Sequence, residues 1–433
     1  MNIGPSYTAH KQRFNLFPKS IQKKINWFAF FLAFPFLSIL GNSITFFIFL
    51  LLIVDVGRFW KRKFRGKQLL LLFIFIGLVS SVSSPINLKL ENLRWVVVLI
   101  QYVYWIYMTM FFIIYFEKIN LLQLSKWVFY GSVLYSIAFY LIPFELDNPI
   151  VSFEFNPGRN SYIFNMLACI PISIYYVKMK WGNRKTYIVL ILFLLLMFIS
   201  NGRSGAIIIL IELFFITAII RPSFQRASKY YVFILLSLFI LVQTSTAERY
   251  LDFLSYQIEG VSPRMASLLR SEGEGDLTLD KSWLIRELMI DKGKEIVIRH
   301  PLIGIGPNNF KYYNAELNDF HDLKKYKRLQ SVSKIKLSQG TSPHNTYLQA
   351  VTEFGITGFL VYILFILTPL IFSFKKYLRN SLKLEDLVLI SFIGITIHFY
   401  VIANLSGALP WFIFGLSWGL VNRNRRNSKK SIR

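Results

Sequence analysis

Apolar runs long enough to cross ~30 Å of hydrocarbon recur along this 433-residue chain, separated by short basic or polar turns. A chain built this way has to satisfy its backbone inside each apolar segment, so helices are the structure it can form in a bilayer. Hydrophobic residues make up 54% and aromatic residues 17%, and mean hydropathy is positive, which a soluble domain with this pattern would not tolerate. About twelve spans are expected, near 26–40, 43–57, 68–83, 95–116, 127–144, 161–177, 186–200, 204–220, 230–246, 346–373, 384–403 and 408–421. The expected fold class is an all-α polytopic membrane protein with one large extracytoplasmic loop containing short helices. Three parts follow: residues 1–246 as an N-terminal bundle of about nine spans, 247–345 as the large loop, and 346–433 as C-terminal helices with a basic tail. The first span follows a basic tail without a small-residue cleavage site, so it reads as a retained anchor.

The charge pattern orients these spans. Every second connection is basic: Lys11 to Lys24, Arg58 to Lys67, Lys178 to Lys185, Arg221 to Lys229, Lys375 to Lys383, and Arg423 to Arg433. Connections of the other parity carry few cations, and 145–158 carries only acids (Glu145, Asp147, Glu154). The positive-inside rule then puts both termini in the cytoplasm and the long loop outside. The net charge of +26 is therefore a topology signal and an attraction to anionic lipid, not a nucleic-acid surface. The single cysteine, Cys169, excludes an internal disulfide and a cysteine-based zinc site.

Ionisable groups concentrate in the long loop. Between Glu248 and Asn345 lie 13 of the 23 acidic residues and three of the five histidines (His300, His321, His344). Ser271 to Asp276 alternates glycine with carboxylates and is expected not to pack. Lys281 to Ile298 is expected to be a loop helix, although its apolar positions form no clean stripe. Asp319 to Asp322 resembles a metal cluster, but adjacent residues rarely chelate one ion together.

Several residues are candidates for chemistry. Arg203 stands at a helix start in a very short outer turn, Asn201-Gly202-Arg203-Ser204-Gly205; it either meets a phosphate beside helix N–H groups or snorkels to lipid headgroups. Arg159, in Asn156-Pro157-Gly158-Arg159-Asn160, has the same two readings. Arg286 is either a third anion contact or a solvated charge. In His300-Pro301-Leu302-Ile303-Gly304-Ile305-Gly306-Pro307-Asn308-Asn309-Phe310, Gly304 and Gly306 either let N–H groups approach a phosphate or shape a turn. The spacing is not that of a dinucleotide-binding loop. His344 lies just before a helix start fixed by Pro343, and a histidine there can take a proton from a hydroxyl. Asn345 either caps that helix or orients the imidazole. Glu353, about two turns on, either supports His344 or lines a cavity. Glu212 sits mid-span, a functional candidate by position or a carboxyl protonated or paired within the bundle. Asp55 and His398 read as structural.

In order along the chain, these pieces resemble the O-antigen ligase and polymerase family of bacterial envelope glycosyltransferases. The resemblance rests on Gly-Arg-Ser-Gly around Arg203, and on Arg286 about fifteen residues before Pro301-Leu302-x-Gly304-x-Gly306 with Asn309-Phe310 following. It continues with Pro343-His344-Asn345-x-Tyr347-Leu348, and with Glu353-x-Gly355-x-x-Gly358. These motifs cover about 156–375. The family resemblance implies a metal-independent, inverting sugar transfer without cofactor, from a polyprenyl-diphosphate-linked glycan, on the outer face of the bacterial cytoplasmic membrane. It implies Arg203 and Arg286 as the groups neutralising the departing diphosphate, with Arg159 a weaker third, and His344 as the base. Gly304, Gly306, Asn309, Asn345 and Glu353 are then expected around pyrophosphate or glycan. Partners implied are the lipid-linked glycan, membrane lipid, and a flippase or chain-length regulator; nucleic acid is not. A polymerase is expected on the ground that such polymerases are numerous and varied; a ligase to lipid A core or another acceptor is the alternative. A transporter of lipid-linked sugars is the alternative from another class, and the sparse midplane charges speak against it.

Overall fold

The computed structural model describes residues 17–34, 63–84, 86–87, 94–141, 159–199, 203–221, 223–224, 281–313, 343–400, 402–403, 405 and 407–430. The spans expected near 43–57 and 230–246, Asp55, the acidic connection 145–158, the Ser271–Asp276 segment and the Asp319–Asp322 cluster lie outside the described residues. Among those described, every regular element is helical.

In chain order they are α1 (Lys19–Ala33), α2 (Lys67–Ser83), α3 (Arg94–Tyr115), α4 (Leu121–Leu141), α5 (Arg159–Ile199), α6 (Arg203–Ile220), α7 (Lys281–Arg299), α8 (Thr346–Leu378), α9 (Leu387–His398) and α10 (Ala408–Lys430). Among the described residues, three stretches are long and apolar enough to cross a membrane: Trp95–Lys118, Ser161–Met197 and Thr346–Leu378. Shorter apolar helices lie at Lys67–Ser83 and Ile208–Ile220. The basic connection expected between two spans at 178–185 falls inside α5. There Gly182 takes φ 76°, ψ −174° and breaks the helix into two arms, and residues 179–185 are exposed.

Two apolar clusters hold the helices together. One joins α1, α2, α3, α8, α9 and α10, with the α5 residues Phe164, Ala168, Cys169 and Ile172. The other packs α4 and α6 on α5, closed by Leu387 and Ile390 of α9. Lipid offers apolar side chains no reason to leave it, so close backbone approach and polar contacts between helices have to supply association. The contact of α10 with α3 shows both. A Cβ on Gly415 would stand 2.7 Å from Phe112 Cβ and 2.9 Å from the Thr109 carbonyl; one on Gly419 would stand 2.6 Å from Phe116 Cβ. This Gly-x-x-x-Gly spacing puts both gaps on one face of α10. Beside it, the Thr109 hydroxyl donates to the Trp411 carbonyl at 2.8 Å. Past the apolar ends, Lys376 pairs with Asp386 and Arg423 with Glu385.

Candidate active site

The site is assembled from α2, α7, α8 and the turn between His300 and Phe310, and its foundation is a break in α8. Gly355 adopts φ 68°, ψ −177°, a backbone conformation essentially restricted to glycine. A helix interrupted there leaves carbonyls before the break and N–H groups after it without intrahelical partners, and buried backbone groups have to be paired. The turn pairs four of them. Ile305 and Gly306 N–H donate to the Thr352 and Glu353 carbonyls at 3.0 and 2.9 Å. In return Ile356 and Thr357 N–H donate to Pro301 and Leu302 at 2.8 and 3.3 Å. Backbone lies against backbone: a Cβ on Gly304 would meet the Thr352 carbonyl oxygen at 2.5 Å, and one on Gly355 would meet Leu302 at 2.3 Å. Of the two readings of the Gly-x-Gly segment, the structure has it as a turn docked on α8.

The end of α2 locks this joint. Ser80 Oγ donates to the Glu353 carbonyl at 2.8 Å, and Ser84 Oγ to the Ile305 carbonyl at 2.5 Å. The Asn309 amide reaches Ser84 Oγ, Asn87 Oδ1 and the Ile305 carbonyl at 3.1, 2.8 and 2.8 Å, and Asn309 is buried. Glu353 is buried; Gln349 Nε2 donates to its carboxylate at 3.3 Å, and the backbones of Asn308 and Phe310 also hydrogen-bond to it. Glu353 thus holds the turn. Ser80, Ser84 and Asn87 were not among the candidates; the signal available was a cluster of small polar residues, Ser80-Ser81-Val82-Ser83-Ser84, where an apolar run ends.

Beneath the turn, Lys292 of α7 is also buried, with its ammonium 4.8 Å from the Phe310 ring centroid. Burial pushes it down to about 8, partly countered by Glu295. The folded protein therefore releases this proton near 8, whereas an unfolded lysine keeps it to about 10.5. Folding stability is expected to rise with pH across that window. Melting curves in detergent compare the parent with Lys292→Met, in which the contribution to the rise is absent; parallel pH profiles would remove Lys292 as its source.

His344 stands at the edge of this assembly. It lies between buried Pro343 and the helix start, in the left-handed region at φ 48°, and its side chain is exposed. Histidine tolerates that conformation better than most residues, but it is uncommon enough to mark a constrained position. Asn345 resolves to the capping alternative: its Oδ1 accepts from Tyr347 and Leu348 N–H at 2.9 and 3.0 Å. Thr346 ties the same end to the α9–α10 connection, its N–H donating to Phe399 at 2.8 Å and its hydroxyl to Ile402 at 2.5 Å.

Arg286 arrives from α7. Gly293 is the packing point: a Cβ there would stand 2.5 Å from Leu348 Cδ1. Arg286 precedes Gly293 by two helical turns and so shares its face. Leu348 lies in the first turn of α8, four residues past His344. The two residues, distant in sequence, are close enough for the guanidinium to act on the imidazole. His344 is held below the ordinary histidine value, first by desolvation and then by the Arg286 charge. Arg286 is half-buried.

Residues 188–363 match the model of the O-antigen ligase family. Over this stretch the chain is similar to the O-antigen ligase family. That match takes in Arg203, Arg286, the docked turn, His344 and the α8 break. The match and the apolar helices together point to a membrane protein. No curated protein matches the chain. Arg203 and Arg159 begin α6 and α5, and their side chains lie outside the described residues. Glu212 is buried between α6 and α9, where a Cβ on Gly394 would overlap its carboxylate. It is no neighbour of the turn in the contacts described. Among the described residues no group of three or more His, Cys, Asp or Glu is placed to hold a metal ion.

The guanidinium effect has a direct readout. Arg286→Gln removes a positive charge beside His344, so the imidazole pKa is expected to rise and the acidic limb of activity to move to higher pH. Arg286→Lys, which keeps the charge, is expected to leave that limb in place. A histidine titration followed by NMR checks the same shift without turnover; an unmoved pKa in Arg286→Gln would exclude coupling between the two residues.

Proposed function

We propose that this protein polymerises surface polysaccharide by joining polyprenyl-diphosphate-linked oligosaccharide units on the outer face of the cytoplasmic membrane. The observation that carries the reading is that Arg286 lies close enough to the exposed His344 to act on it electrostatically, within the residues that match the O-antigen ligase family. In the proposed step, the acceptor hydroxyl oxygen attacks the anomeric carbon from the side opposite the lipid diphosphate, inverting the centre. His344 takes the hydroxyl proton as the new C–O bond forms. The old C–O bond breaks, and its electron pair leaves on the diphosphate, whose growing charge Arg286 and Arg203 neutralise. Arg159 is a further phosphate contact. Asn345, Glu353, Asn309, Gly304 and Gly306 set the position of the base and of the wall it faces. The downward shift of the His344 imidazole favours the unprotonated form that a base requires.

Transfer of a finished glycan to lipid A core or another acceptor is the second reading, and the O-antigen ligase family match is compatible with both. Deleting the gene and analysing the glycans separates them. Single repeat units on the lipid carrier support the polymerase, long polymer left on the carrier supports the ligase, and units trapped inside would indicate a transporter. Charge alternation supports cytoplasmic termini and an outward loop; a cysteine introduced at Gly275 should then react with an impermeant reagent outside intact cells. Protection of that cysteine would overturn the topology and the reaction site together.

A further inference from the structure

A cavity of about 410 Å³ opens at the end of the bundle opposite His344, where α2 begins and α8 ends. Three cations line it, Arg65, Lys375 and Arg425, against an apolar wall that includes Leu69, Phe372 and Trp418. No acidic side chain lines it among the described residues. The first turn of α2 also borders the cavity; Gly66 starts it at φ 90° with no side-chain cap, so its first N–H groups add positive potential. Gly66 itself fits there because Trp418 fills the space a side chain would take, 3.1 Å from where its Cβ would be.

The apolar side of the cavity continues outward. Ile371 lines it and is exposed, and Leu367 and Leu364 follow on α8 at spacings that share one exposed face. A cluster of cations over such a strip matches an amphiphile with a phosphate at one end and a hydrocarbon tail at the other. Arginine's planar fork suits phosphate oxygens, and basic pockets between membrane helices take lipid headgroups.

We propose that this cavity is a binding site for an anionic phospholipid, its headgroup phosphate held by Arg65, Lys375 and Arg425 and its acyl chain laid along Ile371, Leu367 and Leu364. The bound lipid joins the start of α2 to the ends of α8 and α10, away from the reacting groups.

The test uses the full-length protein in phosphatidylcholine nanodiscs with and without phosphatidylglycerol, with retained lipid read by native mass spectrometry. The parent is expected to retain phosphatidylglycerol over phosphatidylcholine and to melt at higher temperature with it. Each cation removed is expected to weaken retention about fivefold. Arg65→Gln/Lys375→Gln changes two exposed side chains and should lose most of the preference while folding normally; adding Arg425→Gln should abolish it. Equal retention of the two lipids by the parent, or unchanged preference in the double variant, overturns the site. Displacement of the lipid by inorganic phosphate would reduce it to a general anion site and overturn the lipid assignment. Stronger retention of polyprenyl phosphate than of phosphatidylglycerol would overturn the phospholipid identity.

Discussion

Replacing His344 with alanine is expected to reduce glycan transfer by about 10²–10⁴, the range a positioned general base contributes. Membrane accumulation and donor binding should stay near the parent's. The separation is expected because His344 is exposed while the helix start beside it is held by other groups: the Asn345 side chain caps α8, and Thr346 is anchored to Phe399 and Ile402. Removing the imidazole therefore takes away a proton acceptor without taking away the cap. The measurement is turnover of a lipid-diphosphate donor by purified protein, with donor binding measured separately. Parent-like turnover would remove His344 as the base. A matching loss of binding and turnover would make it a binding residue instead.

The largest structural effect is expected from Gly355→Ala, and Gly182→Ala is its internal control. Both glycines hold nearly the same conformation, φ 68°, ψ −177° and φ 76°, ψ −174°, so alanine carries a similar backbone cost at each, about 1–3 kcal/mol. Their surroundings differ. A Cβ at Gly182 meets nothing within 4 Å, whereas one at Gly355 lands 2.3 Å from Leu302 and 2.4 Å from the Ile303 nitrogen. The turn must then lift off α8 and leave buried N–H and C=O groups unpaired, each costing roughly 1–3 kcal/mol. Gly355→Ala is expected to melt far below Gly182→Ala, or to fail to accumulate. Similar melting of the two variants would mean the docked turn contributes little.

Local signals carried much of this far and stopped at identifiable points. The loop helix was legible over Lys281 to Ile298 and is found at Lys281–Arg299, since its length and composition need no partner to specify them. The α8 start was legible from Pro343 and Asn345 for the same reason. The break at Gly355 was not: its glycine reads as ordinary within an apolar run, and only the approach of Leu302 from fifty residues away explains it. The same holds for Asn309 and Glu353. The family resemblance placed both around pyrophosphate or glycan; in the structure Asn309 bonds to Ser84, Asn87 and the turn, and Glu353 to Gln349 and the turn. On α7 the buried apolar residues Leu288, Met289 and Ile296 are interrupted by Lys292 and Gly293, and Gly293 leaves the gap that Leu348 fills. The pairing of Arg286 with His344 depends on that gap and was legible only as two separate candidates.

The repulsion between that guanidinium and imidazole has a consequence for timing. A diphosphate seated against Arg286 offsets the charge that holds the histidine's proton affinity down. On the proposed mechanism, donor arrival would strengthen the base, and diphosphate departure would weaken it again so that the captured proton is shed. By linkage, the donor binds more tightly when the imidazole carries its proton than when it does not. Loading, proton capture and reset would run as one coupled cycle, without any part of the backbone having to move.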